Sequence, residues 1–436
     1  MMTTNEIGQL VRGAVAKQAV VDMHTHLYSP GFGTPMGGKS GKSDPAGLLL
    51  WGVDELLTYH YLVAEVFRVV PATKLPYEQF WKMSKREQAD HIWKHLFVER
   101  APISEACRGV LTAIQKLGLD PNAELGSLRK WFEEQEPSGY IDRVMELSNV
   151  SSITMTNPVF DDNERKRWME EPGKLVDSRF RAVLRIDPIL RAWPTAAKRL
   201  TEWGYAAGEK LDAGSVESGR RFLRDWIDRQ KAIYLALSLP PEFRYPAEPG
   251  DAVARAGQEA LEKVILPVCE ERGLPFAMMI GSKLQVNPSL RDGGDMVGKS
   301  DVQAVVNICR AFPKNRFLVT MLARENQHEL AVATRKFGNL MLFGCWWFLN
   351  NPSLIEEITR MRVEMLGTSF VPQHSDARVL DQLLYKWEHS REVIGKVLVD
   401  QFGKMATTGR RVTKEQVEGT VRLMFRENFE NFLTGK

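Results

Sequence analysis

Along the chain, short runs rich in Val, Ile, Leu and Met alternate with longer stretches whose apolar residues recur every three or four positions. The short runs have the length and β-branched character of buried strands, and the longer stretches have the period of helices that cover them. Eight runs read as strands, at residues 19–23, 150–155, 182–186, 232–237, 275–280, 316–320, 339–343 and 370–373. The amphipathic stretches 252–272, 302–312, 327–337 and 353–361 are each long enough for one crossover helix between parallel strands. The pattern predicts an α/β chain in a single domain, residues 1–436, and a closed (β/α)8 TIM-like barrel uses all eight strands. An open doubly wound sheet leaves the same local signature, so the placement of the chemistry has to separate the two.

One connection breaks the rhythm. Between the first and second strands most of the sequence has helical period, at 53–69, 77–99, 103–117 and 121–136, which predicts a helical insertion over residues 50–147. A Gly-, Ser- and Pro-rich segment, residues 30–47, leads into it and is expected to form a loop over the barrel mouth. Within that segment, residues 33–40 match the phosphate-loop pattern letter by letter, but Pro45 and Gly47 follow where a helix is required, so nucleotide binding is not expected.

Composition narrows the function. Charged residues make up 26% of the chain and balance to a net +3, which leaves no basic surface dedicated to nucleic acid. The four cysteines are far apart and form no Cys-x-x-Cys pair, and no apolar run is long enough for a signal peptide core or a membrane span. A cytoplasmic protein without a membrane partner is expected.

The first strand runs into His24-Thr25-His26, and side chains two apart on a strand share a face, so both imidazoles can reach one ion. At the end of the eighth strand, Asp376 lies in Ser375-Asp376-Ala377-Arg378, where a barrel would bring its carboxylate beside the first strand as third ligand or base. Taken alone, this segment also fits a helix N-cap. His91 and His95 share a helix face but have no third ligand with them, and His374 reads either as a partner of Asp376 or as an exposed loop residue.

Together, the His-x-His after strand one and the Asp after strand eight resemble the amidohydrolase superfamily. Further segments resemble uronate isomerase within it: Tyr59-His60-Tyr61, Leu184-Arg185-Ile186-Asp187, Gly344-Cys345-Trp346-Trp347-Phe348 and Asp376-Ala377-Arg378. The resemblance implies one divalent metal ion, zinc, on His24, His26 and Asp376. It also implies a sugar-acid site formed by His60, Arg185, Trp346 and Arg378, proton transfer through Asp376, Tyr61 and Arg378, and an oligomeric habit. Met279 stands where that family usually has histidine, and a thioether cannot carry a proton.

Aldose–ketose interconversion through an enediol needs a base, a proton carrier and positive charge near the developing enediolate. Asp376 and Tyr61 supply the first two, while Arg185 and Arg378 can clamp substrate oxygens. Two alternatives stay open: a mononuclear metal-dependent hydrolase of a lactone or amide, and a weakly catalytic paralogue that binds a sugar acid.

Overall fold

In the computed structural model, residues 3–39 and 43–435 are described. Seven of the expected strands form at or close to their predicted positions: Val20–Thr25, Val150–Met155, the pair Phe180–Ala182 and Leu184–Arg185, Leu235–Leu239, Phe276–Ile280, Phe317–Met321 and Leu340–Leu342. All neighbouring pairs are parallel. The third strand is split at Val183, and the split joins two parts of the ring, because Val183 N donates to Met155 O at 3.0 Å while Leu184 N donates to Tyr234 O at 3.2 Å. The eighth expected strand is reduced to the parallel bridge of Val371 to Phe343. Closure onto the first strand runs through Asp376 N to His24 O at 3.1 Å and His26 N to Ala377 O at 2.7 Å. The ring is thus a (β/α)8 barrel whose last seam is made by loop backbone rather than by a regular ladder.

Inside the ring, inward-facing side chains from alternate positions form a packed core of Val21, Met23, Tyr234, Ala236, Ala277, Met279, Leu318, Leu322, Phe343 and Val371. The C-terminal helix Asn428–Thr434 adds Phe429 and Phe432 to the same cluster. A filled interior of this kind is a core rather than a pore, and leaves chemistry to the end where the strands stop. The long helix Gln382–Thr407, packed against the N-terminal helix Thr4–Lys17, carries the largest set of buried residues outside the ring.

Between the first and second strands most of the described residues lie in helices, which are more broken than the sequence period suggests. The expected helix 53–69 is two, Val53–Leu57 and His60–Val69. Thr58 Oγ1 donates to Asp54 O at 2.7 Å, and Tyr59 is extended between them. A hydroxyl that takes a backbone carbonyl in this way competes with helix continuation. The break puts His60 at a helix start, close to the barrel mouth. Two described residues of the 30–47 segment are tied to their surroundings: Thr34 Oγ1 accepts from Trp51 Nε1 at 2.9 Å, and Asp44 pairs with Arg167. The described residues that come next, 43–50, hold no helix, and Ser40, the end of the false phosphate loop, lies outside the described residues together with 41 and 42. No helix of the described residues is long and apolar enough to cross a membrane, and all four cysteines are free and buried.

Gly344, two residues past the seventh strand, has φ 62°, and a Cβ there would stand 1.7 Å from His374 Nδ1. Gly344→Ala is expected to lower stability by roughly 3 kcal/mol or more, since positive φ and a core clash act together. Urea unfolding measures this; a variant within about 1 kcal/mol of the wild type would show that the backbone and His374 relax freely.

Candidate active site

The two histidines reach the barrel interior through an irregularity. Val21 and Met23 face inward, so strict alternation would turn residues 24 and 26 away from the core. A register shift against the second strand falls between Asp22 and Thr25, and it re-aims His24 and His26 into the mouth of the barrel. Opposite them, Asp376 sits at φ 53°, a left-handed conformation that costs a non-glycine residue about 1–3 kcal/mol. Its neighbours hold it there. Ser375 N donates to Asp22 Oδ1 at 3.1 Å, Trp387 Nε1 donates to Asp22 Oδ2 at 2.8 Å, and Lys386 Nζ donates to Ser375 O at 2.7 Å.

Asp376 Oδ1 lies 3.4 Å from His24 Nε2 and 3.4 Å from His26 Nε2. Ligand atoms about 2.0–2.2 Å from a tetrahedral divalent ion stand roughly 3.4 Å apart, so these three side chains fit a shared ion better than direct hydrogen bonds. Asp376 Oδ1 has no hydrogen-bond partner although it is buried. Burial drives the His26 imidazole down to about 4, the neutral form that a ligand needs. Burial opposes ionisation of Asp376, but the two imidazoles hold its carboxyl well below the usual range.

Around this centre a cavity of about 140 Å³ is lined by Tyr59, His60, Arg185, Met279, Trp346 and Arg378 among others. It adjoins a wider depression that shares His26, Arg185, Asp187 and Arg378. Arg185 is fixed by a two-pronged pair to Asp187, at 2.8 and 3.2 Å, and donates to Ser238 Oγ at 2.9 Å. Burial works against ionisation of Asp187, yet the Arg185 guanidinium holds its carboxyl below the ordinary range. His60 is kept neutral, first by burial and then by the positive charge of Arg378. Trp346 forms a wall, as does Trp347, whose indole lies 5.9 Å from the His60 ring.

Of the residues singled out from sequence, His24, His26, His60, Arg185, Trp346, Asp376 and Arg378 all line this one cavity. Tyr61 does not: its ring lies 4.6 Å from His60 and 4.9 Å from Tyr59, with its hydroxyl buried and unpartnered. His374 is a core residue, 5.1 Å from the His24 ring, rather than an exposed loop histidine. His95 pairs with Glu99 at 2.6 Å, and no metal-binding group forms around it and His91 among the described residues. Sequence reasoning quoted Asp187 beside Arg185 without giving it a role, and it missed Tyr28 and Glu164. Tyr28 lines the depression beside His26, and its hydroxyl donates to buried Glu164 at 3.2 Å.

Comparison with known proteins decides the family. The chain is 50% identical to a uronate isomerase from Bacillus halodurans C-125, with a TM-score of 0.92 over 99% of this chain and 97% of that one. The chain belongs to the uronate isomerase family. At the level of the fold, this uronate isomerase family member also matches a uronate isomerase from Thermotoga maritima (14% identity, TM-score 0.74, 98% of this chain and 97% of that chain). It likewise matches a glucuronate isomerase from Caulobacter crescentus (15% identity, TM-score 0.75, 99% and 95%). No family model and no curated protein matches the chain.

Two outcomes follow from this geometry. Protein stripped with a chelator is expected to take up a single divalent ion per chain in a metal titration, and Asp376→Ala is expected to abolish tight uptake; unchanged uptake would put the ion elsewhere. Burial raises the Glu164 carboxyl from 4.5 to about 7. Its protonated form is favoured by folding, so the stability it contributes is present below 4.5 and lost as pH rises through about 7. Glu164→Gln cannot ionise and should remove this loss, gaining up to about 3 kcal/mol on the wild type between about pH 5 and pH 8 in denaturant unfolding. Parallel pH profiles for the two proteins would refute the assignment.

Proposed function

We propose that this chain interconverts the aldose and ketose forms of a small sugar acid, a uronate, by moving a proton between adjacent carbons through an enediol. The observation that carries this reading is the gathering of two imidazoles, a carboxylate and two guanidiniums at one barrel mouth, in a chain 50% identical to a uronate isomerase. Two nitrogen donors and one carboxylate suit zinc, held by His24, His26 and Asp376. When bound, zinc would supply Lewis-acid polarisation of substrate oxygens.

The chain's own residues account for the rest of the chemistry. Arg185 and Arg378 clamp substrate oxygens by charge-assisted hydrogen bonds, and Asp187 keeps the Arg185 fork aimed into the cavity. Asp376, through the carboxylate oxygen that does not face the imidazoles, accepts the migrating proton. Tyr61, whose buried phenol stands outside the cavity with its ring 4.6 Å from that of His60, returns a proton to the neighbouring position by way of the His60 imidazole, which lines the cavity, and burial keeps that phenol protonated at neutral pH. His60 and Trp346 shape the sugar pocket, and the walls exclude water from the enediol.

Incubation with a uronate in deuterated water is expected to place deuterium at the sugar's second carbon, read by proton NMR. Asp376→Asn should lower kcat by about a thousandfold or more, and Tyr61→Phe by about a hundredfold with KM little changed. Near-native turnover in Asp376→Asn with metal still bound would defeat the reading, as would lactone or amide hydrolysis without exchange.

A further inference from the structure

After the fifth strand the chain runs through two short antiparallel strands, Ser282–Lys283 and Met296–Val297, with a turn at Pro288–Gly294 between them. This strap leans on the helical insertion. Trp81 Nε1 donates to Ser289 O at 2.8 Å, the Arg291 guanidinium lies 4.3 Å over the Trp81 ring, and Asn287 Nδ2 reaches the Tyr77 hydroxyl at 3.4 Å. The turn is tight and committed: Arg291 has φ 52°, and a Cβ on Gly294 would stand 1.9 Å from Asn287 O. Its tip holds Asp292 outside the cavity lining but against Arg378, which lines the cavity and donates to Asp292 Oδ2 at 2.8 Å. The insertion therefore fixes a carboxylate against the very guanidinium that lines the sugar-acid cavity.

We propose that Asp292 is a specificity-determining residue, an internal carboxylate that occupies Arg378 between turnovers and yields it to the anionic sugar acid. The proposal rests on the reading of Arg378 as a substrate clamp. The Asp292 side chain is 65% exposed and that of Arg378 is 40% exposed, so the pair is solvated and its exchange for a substrate oxygen is cheap. An acid brings negative oxygens that replace those of Asp292, whereas a neutral sugar does not. Because apparent affinity scales with the fraction of receptor free to bind, Asp292 weakens binding of substrate and product alike and eases release. Asp295, on the same strap and lining the cavity, accepts from Gln285 N at 2.7 Å and is committed to holding the strap's own backbone.

Steady-state kinetics of metal-loaded Asp292→Asn test this. KM for the uronate is expected to fall about two- to fivefold, as release of a solvated ion pair allows, with kcat within about twofold of the wild type. The inhibition constant of the corresponding neutral aldose should not move, and Asp292→Glu should restore the wild-type KM. An unchanged or raised KM in Asp292→Asn overturns the proposal, as does an equal shift for the neutral sugar, which would mark a purely structural role. Arg378→Ala separates the two readings. If it leaves KM for the uronate unchanged, the clamp itself is wrong; if it raises KM tenfold or more while Asp292→Asn does nothing, only the competition is wrong.

Discussion

The site depends on how the first and last strands are sewn together. Backbone bonds between His24 and Asp376 and between His26 and Ala377 close the ring and set the three candidate ligands face to face. Buried Asp22 anchors this seam, accepting from Ser375 N and from Trp387 Nε1 on the long helix. Burial raises the Asp22 carboxyl, and the hydrogen bonds it accepts oppose that rise, so its ionisation and the seam's geometry are linked. Lys386, pushed down to about 8 by burial, grips Ser375 O from the same helix. A residue at positive φ persists only where its surroundings over-determine it, and Asp376 is held on both flanks.

Much of this was legible in the chain. The period-two spacing of His24 and His26, the order of the strands and the carboxylate after the last one placed the candidate ligands on one barrel face before any coordinates were needed. The legible part was local. The bulge that turns His24 inward was not, because a register shift is set by the partner strand and leaves Val20–Thr25 with an ordinary apolar pattern. The eighth strand pairs through a single bridge at Val371, and beyond it side chains replace the ladder: Gln373 Oε1 accepts from Cys345 N, and Ser375 N donates to the Asp22 carboxylate. Glu164 and Asp292 stayed silent for a different reason. Their partners lie 136 and 86 positions away, and no short motif encodes a contact of that span.

The division of labour between ring and insertion follows from rigidity. Strand ends supply the groups whose positions need tolerances of tenths of an ångström, namely His24, Arg185 and Asp376, each fixed by a backbone bond or a forked ion pair. The insertion and the strap supply groups that enclose: Tyr59 and His60 at a broken helix, and Asp295 on a strap braced by Trp81. Enclosure tolerates more motion than bond making. That difference fits substrate exchange at a mouth whose floor is a packed core.

The apolar interior also bears on which reaction the centre performs. A dinuclear hydrolase needs further nitrogen or oxygen donors from the middle strands, beside the first ion. Here Met279 on the fifth strand and Leu322 and Ala323 after the sixth are all buried at those positions, and the thioether is at best a weak acceptor. A second hard dication would find no ligands there. Water entering such a wall would find few partners either, and an enediol survives longest where stray proton donors are scarce. The substitution of Met279 thus weakens the hydrolytic alternative while leaving the first centre's donors untouched. The polar lining that remains, Asp376 and Arg378 with Tyr59 and His60 from the insertion, belongs to that first centre's side of the same cavity.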